Sequence, residues 1–122
     1  MTVQNVCKQT GLTVDTIRYY QRIGLVTVEK GDYFINYTQE SVDVLLAIKK
    51  LRLSGMSLGE IKRLLSIDAE PADLNPKQLN DVSEIVDNAL KRTKIRAKEI
   101  AEAQQLLENM KNKLNKVNHE DC

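Results

Sequence analysis

Two arginines and a tyrosine stand within five residues of one another: Arg18, Tyr19 and Arg22. Arg18 and Arg22 are four apart, so on a helix they share one face with Tyr19 beside them. A guanidinium offers a planar fork of donors that suits phosphate oxygens and base edges. Two of them and a phenol on one rod suit the surface of a nucleic acid. Thr13, Asp15 and Thr16 add polar groups at the start of the same stretch. Asp15 could accept from a cytosine amino group. In a first turn it also favours the positive end of the helix dipole, which is the role favoured here. No nucleophile–base pair or phosphate-cradling glycine loop accompanies these residues, so an enzyme is not expected.

The stretch that carries them reads as a short helix with marked ends. Thr13 suits the N-cap, where its hydroxyl can accept an orphaned amide of the first turn. Gly24 suits the exit, where a chain leaving a helix often needs positive φ. Val14, Ile17 and Ile23 are its apolar anchors. Before it, Val3, Val6 and Cys7 form one apolar stripe on a first helix, and Thr10-Gly11-Leu12 makes a corner. This is the pattern of a helix-turn-helix. A plain helical hairpin with solvated arginines has the same pattern, and these residues alone leave both open.

Residues 25–28 and 33–38 are β-prone, with turn chemistry in Glu29-Lys30-Gly31-Asp32 between them. A hairpin after a helix-turn-helix makes a winged helix, with Lys30, Asn36 and Tyr37 the polar groups expected to meet DNA. All five aromatics, Tyr19, Tyr20, Tyr33, Phe34 and Tyr37, lie in this part of the chain. They suggest a small aromatic core together with a contact surface. Thr38 can cap a third helix over 39–54, which Gly55 stops and which carries a basic edge of Lys49, Lys50 and Arg52. Ser57 and Glu60 form a capping box for a fourth helix over 58–66.

Thr16-Ile17-Arg18-Tyr19-Tyr20-Gln21-Arg22-Ile23-Gly24-Leu25 resembles the recognition-helix motif T-[IL]-R-Y-Y-[ED]-x-x-G-L of the MerR family of bacterial transcription regulators. The stretch from Leu51 to Ile61 resembles that family's L-R-x-x-G-x-S-L-x-E-I segment. The resemblance runs along the whole chain, with three departures: Asp15, an acid in the helix expected to face DNA, and two more. Gln21 stands where the family usually has an acid. Ile35 stands where its wing motif Y-R-x-Y has an arginine, here Phe34-Ile35-Asn36-Tyr37. The missing arginine implies a wing with less phosphate affinity, Ile35 either facing the backbone or tucking against the protein. The resemblance implies DNA contacts by Thr13, Asp15, Thr16, Arg18, Tyr19, Arg22, Lys30, Asn36, Tyr37 and Arg52. It also implies a promoter with an over-long spacer, bent and untwisted so that RNA polymerase engages both of its elements.

Net charge is +1 and decides nothing, but its distribution is uneven. Residues 1–67 hold nine Lys/Arg against six Asp/Glu, and residues 68–122 hold nine against eleven. The basic surplus lies with the helix-turn-helix. No run approaches the roughly 20 apolar residues of a membrane span, and no basic-then-apolar leader is seen. With the resemblance, a cytoplasmic protein is expected.

Residues 68–75 read as a linker. Asn75-Pro76-Lys77-Gln78 then gives a complete helix start. Residues 76–118 read as one long helix of roughly 60 Å with a seven-residue repeat. Its seam is expected to hold Leu79, Val82, Val86, Ala89, Ile100, Ala103, Leu107, Met110, Leu114 and Val117, with Thr93 and Arg96 breaking it midway. Such a helix cannot bury its seam alone, so a homodimer is expected. The resemblance implies an antiparallel coiled coil.

The tail, 119–122, holds His119 and Cys122 at metal-like spacing, but two ligands do not make a site. The chain has no cysteine at the start of the long helix, where metal-sensing members of the family carry one. No cofactor is expected, and the effector is not legible. The fold class expected is mainly α: a winged helix-turn-helix DNA-binding domain over 1–67 and a C-terminal coiled-coil helix. Rival readings are an excisionase-like or architectural DNA-bending protein, which needs no long rod, and a coiled-coil protein–protein adaptor.

Overall fold

Each helix begins where a short polar side chain takes up an orphaned amide. In the computed structural model, which describes residues 1–31, 33–66 and 71–120, Thr2 accepts the Asn5 amide at 3.2 Å and opens α1, Val3–Thr10. Thr13 does the same for Thr16 at 3.2 Å and opens α2, Val14–Arg22. Thr38 and Ser41 serve each other's amides at 3.1 Å at the head of α3, Gln39–Leu53. Ser57 and Glu60 do so at 3.0 and 3.1 Å at the head of α4, Leu58–Ser66. Asn75 and Gln78 repeat the device for α5, Pro76–Glu120. Capping of this kind typically contributes about 1 kcal/mol per helix.

The ends are equally specific. Gly11 closes α1 at φ 74° and donates to the Cys7 carbonyl at 2.8 Å. Lys49, from α3, donates to the Thr10 carbonyl at 2.9 Å, and a Cβ on Gly11 would meet its Nζ at 3.0 Å. The corner of the helix-turn-helix is thus pinned from above by a lysine that composition alone marks as solvated. Gly24 and Gly55, at φ 84° and 83°, carry the chain out of α2 and α3.

The β-hairpin is shorter and later than its sequence suggests. Strand β1 is Glu29–Lys30 and β2 is Ile35–Asn36, antiparallel, with Glu29 opposite Asn36 and Lys30 opposite Ile35. Leu25 and Val26, expected in a strand, are both buried in the core. Consecutive residues of a strand point to opposite faces, so a segment that buries two neighbours serves as core filling and not as a ladder. The Thr27 carbonyl is taken by the Ser41 hydroxyl at 2.9 Å.

α1 packs on α2 and α3, α3 on α4, and α4 on α5. Their common core is Val6, Ile17, Leu25, Val26, Tyr37, Val42, Leu45, Ile48, Met56 and Ile61. Two further members come from the long helix: Ile85, 5% exposed, and Ala89, 6% exposed. The fold is a winged helix-turn-helix of mainly α class followed by a long helix, as its sequence implies. The helix runs two residues past the expected 118, to Glu120. Of the expected linker, Pro71–Asp73 form one 3₁₀ turn, and residues 68–70 lie outside the described residues.

Candidate nucleic-acid interface

α2 is amphipathic in the sense its sequence requires. Ile17 is fully buried, while Asp15, Arg18, Tyr19 and Arg22 lie on the other side, with Tyr19 exposed. Tyr20 is half-buried, and its ring lies 6.2 Å from that of Tyr19 at 48°, which gives the exposed phenol a packed neighbour. Thr13 and Thr16 are occupied with each other at 2.9 Å while Thr13 caps the helix, so their first task is to fix its start. Asp15, Arg18, Gln21, Arg22 and the wing residue Ile35 line one shallow groove of about 400 Å³. A second open depression, about 590 Å³, lies between the start of α1, Arg18 and the wing residues Lys30, Gly31, Tyr33, Phe34 and Ile35. α2 and the hairpin therefore present one continuous surface, with arginine on one side and lysine on the other.

Three residues expected on this surface have other work. Tyr37 is 3% exposed, and its hydroxyl donates to Gln21 Oε1 at 2.9 Å. Burial raises its phenol pKa, against a smaller lowering by the nearby Arg18 charge, so the group stays a donor. It is a core residue that ties the base of the wing to α2, and Gln21 is the acceptor. Asn36 accepts from the Met1 ammonium and donates to Glu29 at 3.2 Å, bracing the hairpin. Arg52 donates to the Met56 carbonyl at 2.9 Å across the turn from α3 to α4, although its side chain stays exposed. Lys30 is exposed, as expected.

The wing also carries exposed apolar groups. Tyr33 is 99% exposed, Phe34 66% and Ile35 44%. Ile35 is no core anchor. Three successive residues with large rings or branches after a turn are the signal, but a strand buried on one face gives the same one.

Residues 1–67 match the model of the MerR HTH family regulatory proteins. The chain belongs to the MerR family. MerR proteins are DNA-binding transcription regulators with this winged helix-turn-helix. Among relatives, the transcriptional regulator CueR of Salmonella typhi is 33% identical over 91 residues, which are 70% of this chain and 66% of that protein, just under two thirds of its length. The ZntR homolog of Haemophilus influenzae is 30% identical over 115 residues, 93% of this chain and 82% of that protein. Among solved structures, HiNmlR, a MerR family regulator lacking the sensor domain and bound to promoter DNA, aligns with a TM-score of 0.68 at 24% identity. The alignment covers 88% of this chain and 80% of HiNmlR. A MerR family regulator from Listeria monocytogenes aligns with a TM-score of 0.65 at 22% identity over the same shares. At these identities the structural likeness speaks for the fold.

The long helix of this MerR protein divides its labour. Ile85, Ala89, Arg92 and Arg96, spaced four, three and four, form one stripe against the chain's own DNA-binding domain. Arg92 Nε donates to the Ser54 carbonyl at 3.3 Å, and Arg96 Nη1 to the Leu53 carbonyl at 2.9 Å. Two guanidiniums thus occupy carbonyls that α3 leaves open at its end. Arg92 Nη2 is buried without a hydrogen-bond partner among the described residues. Ala89, expected in the dimer seam, instead packs inward, because the stripe that meets the domain is rotated from the heptad seam and includes Ile85, which the repeat omits. Arg96, which breaks the repeat, is tied to the Leu53 carbonyl. Thr93 returns its hydroxyl to the Ala89 and Leu90 carbonyls at 2.7 and 3.0 Å. Val82 is half-buried. Leu79, Val86, Ile100, Ala103, Leu107, Met110, Leu114 and Val117 are exposed.

Among the described residues, no group of three or more His, Cys, Asp or Glu side chains gathers as a metal site. Cys7 is a half-buried thiol packed against the core. The His119 side chain and Cys122 lie outside the described residues. No helix among them is long and apolar enough to cross a membrane.

Proposed function

We propose that this protein is a homodimeric, sequence-specific transcription regulator. Each copy lays α2 in a major groove, with Arg18, Tyr19 and Arg22 making the principal contacts. It acts on a promoter whose spacer is too long, bending and untwisting it so that RNA polymerase engages both promoter elements. The observation that carries this reading is the union, on one chain, of that polar face with a rod whose apolar stripe from Ile100 to Val117 has no cover within the described residues. An excisionase-like protein needs the first and not the second. An adaptor needs the second and not the first.

An antiparallel pairing fits the repeat. The outer seam residues pair about Lys98, which sets Leu79 against the second copy's Val117, Val82 against its Leu114 and Val86 against its Met110. The distal half of one rod then lies along the proximal half of the other, leaving the inward stripe of Ile85 and Ala89 with its own domain. The setting is cytoplasmic, where promoter and polymerase are.

The test joins sedimentation to DNA binding. The full chain should sediment as a dimer at micromolar concentration, and Leu107→Lys should sediment as a monomer with an unchanged helical spectrum. Arg18→Ala should weaken binding and lower the slope of log affinity against log salt by roughly two units, one for each copy in the dimer. A monomeric full chain, or an unchanged slope, would remove the corresponding half of the reading.

A further inference from the structure

The wing tip places two apolar side chains where a DNA-binding wing ordinarily needs donors. Phe34 and Ile35 carry no hydrogen-bonding side-chain group, yet they are 66% and 44% exposed. Their position is not accidental. The Gly31 amide donates to the Phe34 carbonyl at 2.9 Å, closing the hairpin. The Phe34 ring then lies across the Gly31 α-carbon so closely that a Cβ there would come within 2.5 Å of it. Ile35 projects into the groove that Arg18 and Arg22 line, and Phe34 into the depression shared by Arg18 and Lys30. The apolar patch is therefore continuous with the face of α2 and rimmed by Arg18, Arg22 and Lys30, with Asp15 beside them.

We propose that this wing grips duplex DNA through the hydrocarbon of the deoxyribose backbone and the adjoining minor-groove wall, with Phe34 and Ile35 as the contacting side chains. The inference rests on α2 entering a major groove. That groove is about 12 Å wide, so an element flanking the helix meets its wall, which is sugar and phosphate. Arg18 and Lys30 hold the phosphates at the rim. Apolar side chains have C–H surface to cover there and release no counterions when they do so. The share of binding that Phe34 and Ile35 supply is thus independent of salt, while that of α2 is strongly dependent on it.

The experiment uses the full chain and a duplex enriched from a random-sequence pool, with affinity followed by anisotropy across a range of salt. Phe34→Ala should weaken binding about tenfold, by the same factor at every salt concentration, and the slope should match that of the parent chain. Ile35→Ala should do the same more weakly. Gly31→Ala keeps the ring but displaces it, and should weaken binding with the same unchanged slope. All three sites are exposed, so melting temperatures serve as the folding control. Wing variants that bind as the parent does, while Arg18→Ala weakens, overturn the apolar wing alone. A fall in slope for Phe34→Ala overturns it too. If Arg18→Ala is also without effect, the placement of α2 on DNA falls, and the wing proposal with it.

Discussion

Tyr37 and Gln21, 16 residues apart in the chain, join the base of the wing to α2 by a hydrogen bond. The phenol is kept protonated by burial, so it remains a donor throughout the neutral range. Tyr37→Phe keeps the ring and its packing but strands the Gln21 carbonyl. The expected loss is about 1 kcal/mol, which for a chain of this size lowers the melting temperature by roughly 3–6 °C. Thermal melts of the two proteins check this, and identical melts would mean that water replaces the bond at no cost. That Tyr37 is a core residue was not legible in the sequence. A phenol on a wing and a phenol beneath one are the same letters in the same motif. Only the direction in which the hairpin folds over Gln21 separates them.

The helices were legible because their signals are local. Thr13, Thr38, Ser57 and Asn75 each act on an amide three residues away, so spacing alone predicts their caps. The hairpin was less so, because Leu25 and Val26 have strand propensity and are spent on the core. The cap of α4 also makes a pH prediction. The Glu60 carboxyl is lowered from its ordinary pKa, first by the Ser57 amide, against burial, which is the next largest effect, and in smaller part by the Ser57 hydroxyl, Arg92 and Arg63. A carboxyl depressed in the folded state adds stability above its unfolded pKa of about 4.3 and loses it as pH falls through its lower folded value. Glu60→Gln keeps a capping side chain without the charge. Its melting temperature should lie below that of the parent chain at neutral pH, and the gap should close as the pH is taken below the ordinary carboxylate range. Melts over a pH series test it, and a gap constant with pH would assign the effect to geometry and not to charge.

At the scale of the molecule, α5 belongs to two structures at once. Its proximal stripe completes the core of the DNA-binding domain, and its distal stripe is exposed, which in the proposed dimer a second copy would cover. A heptad repeat read from sequence merges the two, because a long helix offers several stripes and the repeat does not say which neighbour claims each. The division changes where the chain can be cut. Ending it at Leu74 removes Ile85 and Ala89 from the core, and burial of an Ile85-sized side chain alone is worth about 1.5–3 kcal/mol. Ending it after Lys98 leaves Ile85, Ala89, Arg92 and Arg96 in place. The longer fragment should melt cooperatively and sediment as a monomer, and the shorter should melt at markedly lower temperature. Equal melting temperatures would mean that the inward stripe adds nothing.

The clamp of Arg92 and Arg96 on the end of α3 has a metrical consequence. In the antiparallel dimer proposed above, each domain is riveted to its rod between residues 85 and 96, so the stretch between that rivet and the symmetry point at Lys98 would act as a fixed ruler between two reading heads. Under the antiparallel pairing, seven residues inserted after Lys98 keep every stripe on its face and move the heads apart by about 10.5 Å. At 3.4 Å per step of duplex, that is about three base pairs. Three base pairs also turn one half-site by about 100° around the duplex, so selection from a random-sequence pool with the lengthened protein should no longer return the two half-sites at the parent separation. An unchanged separation would mean that the distance between half-sites is measured by some other part of the dimer.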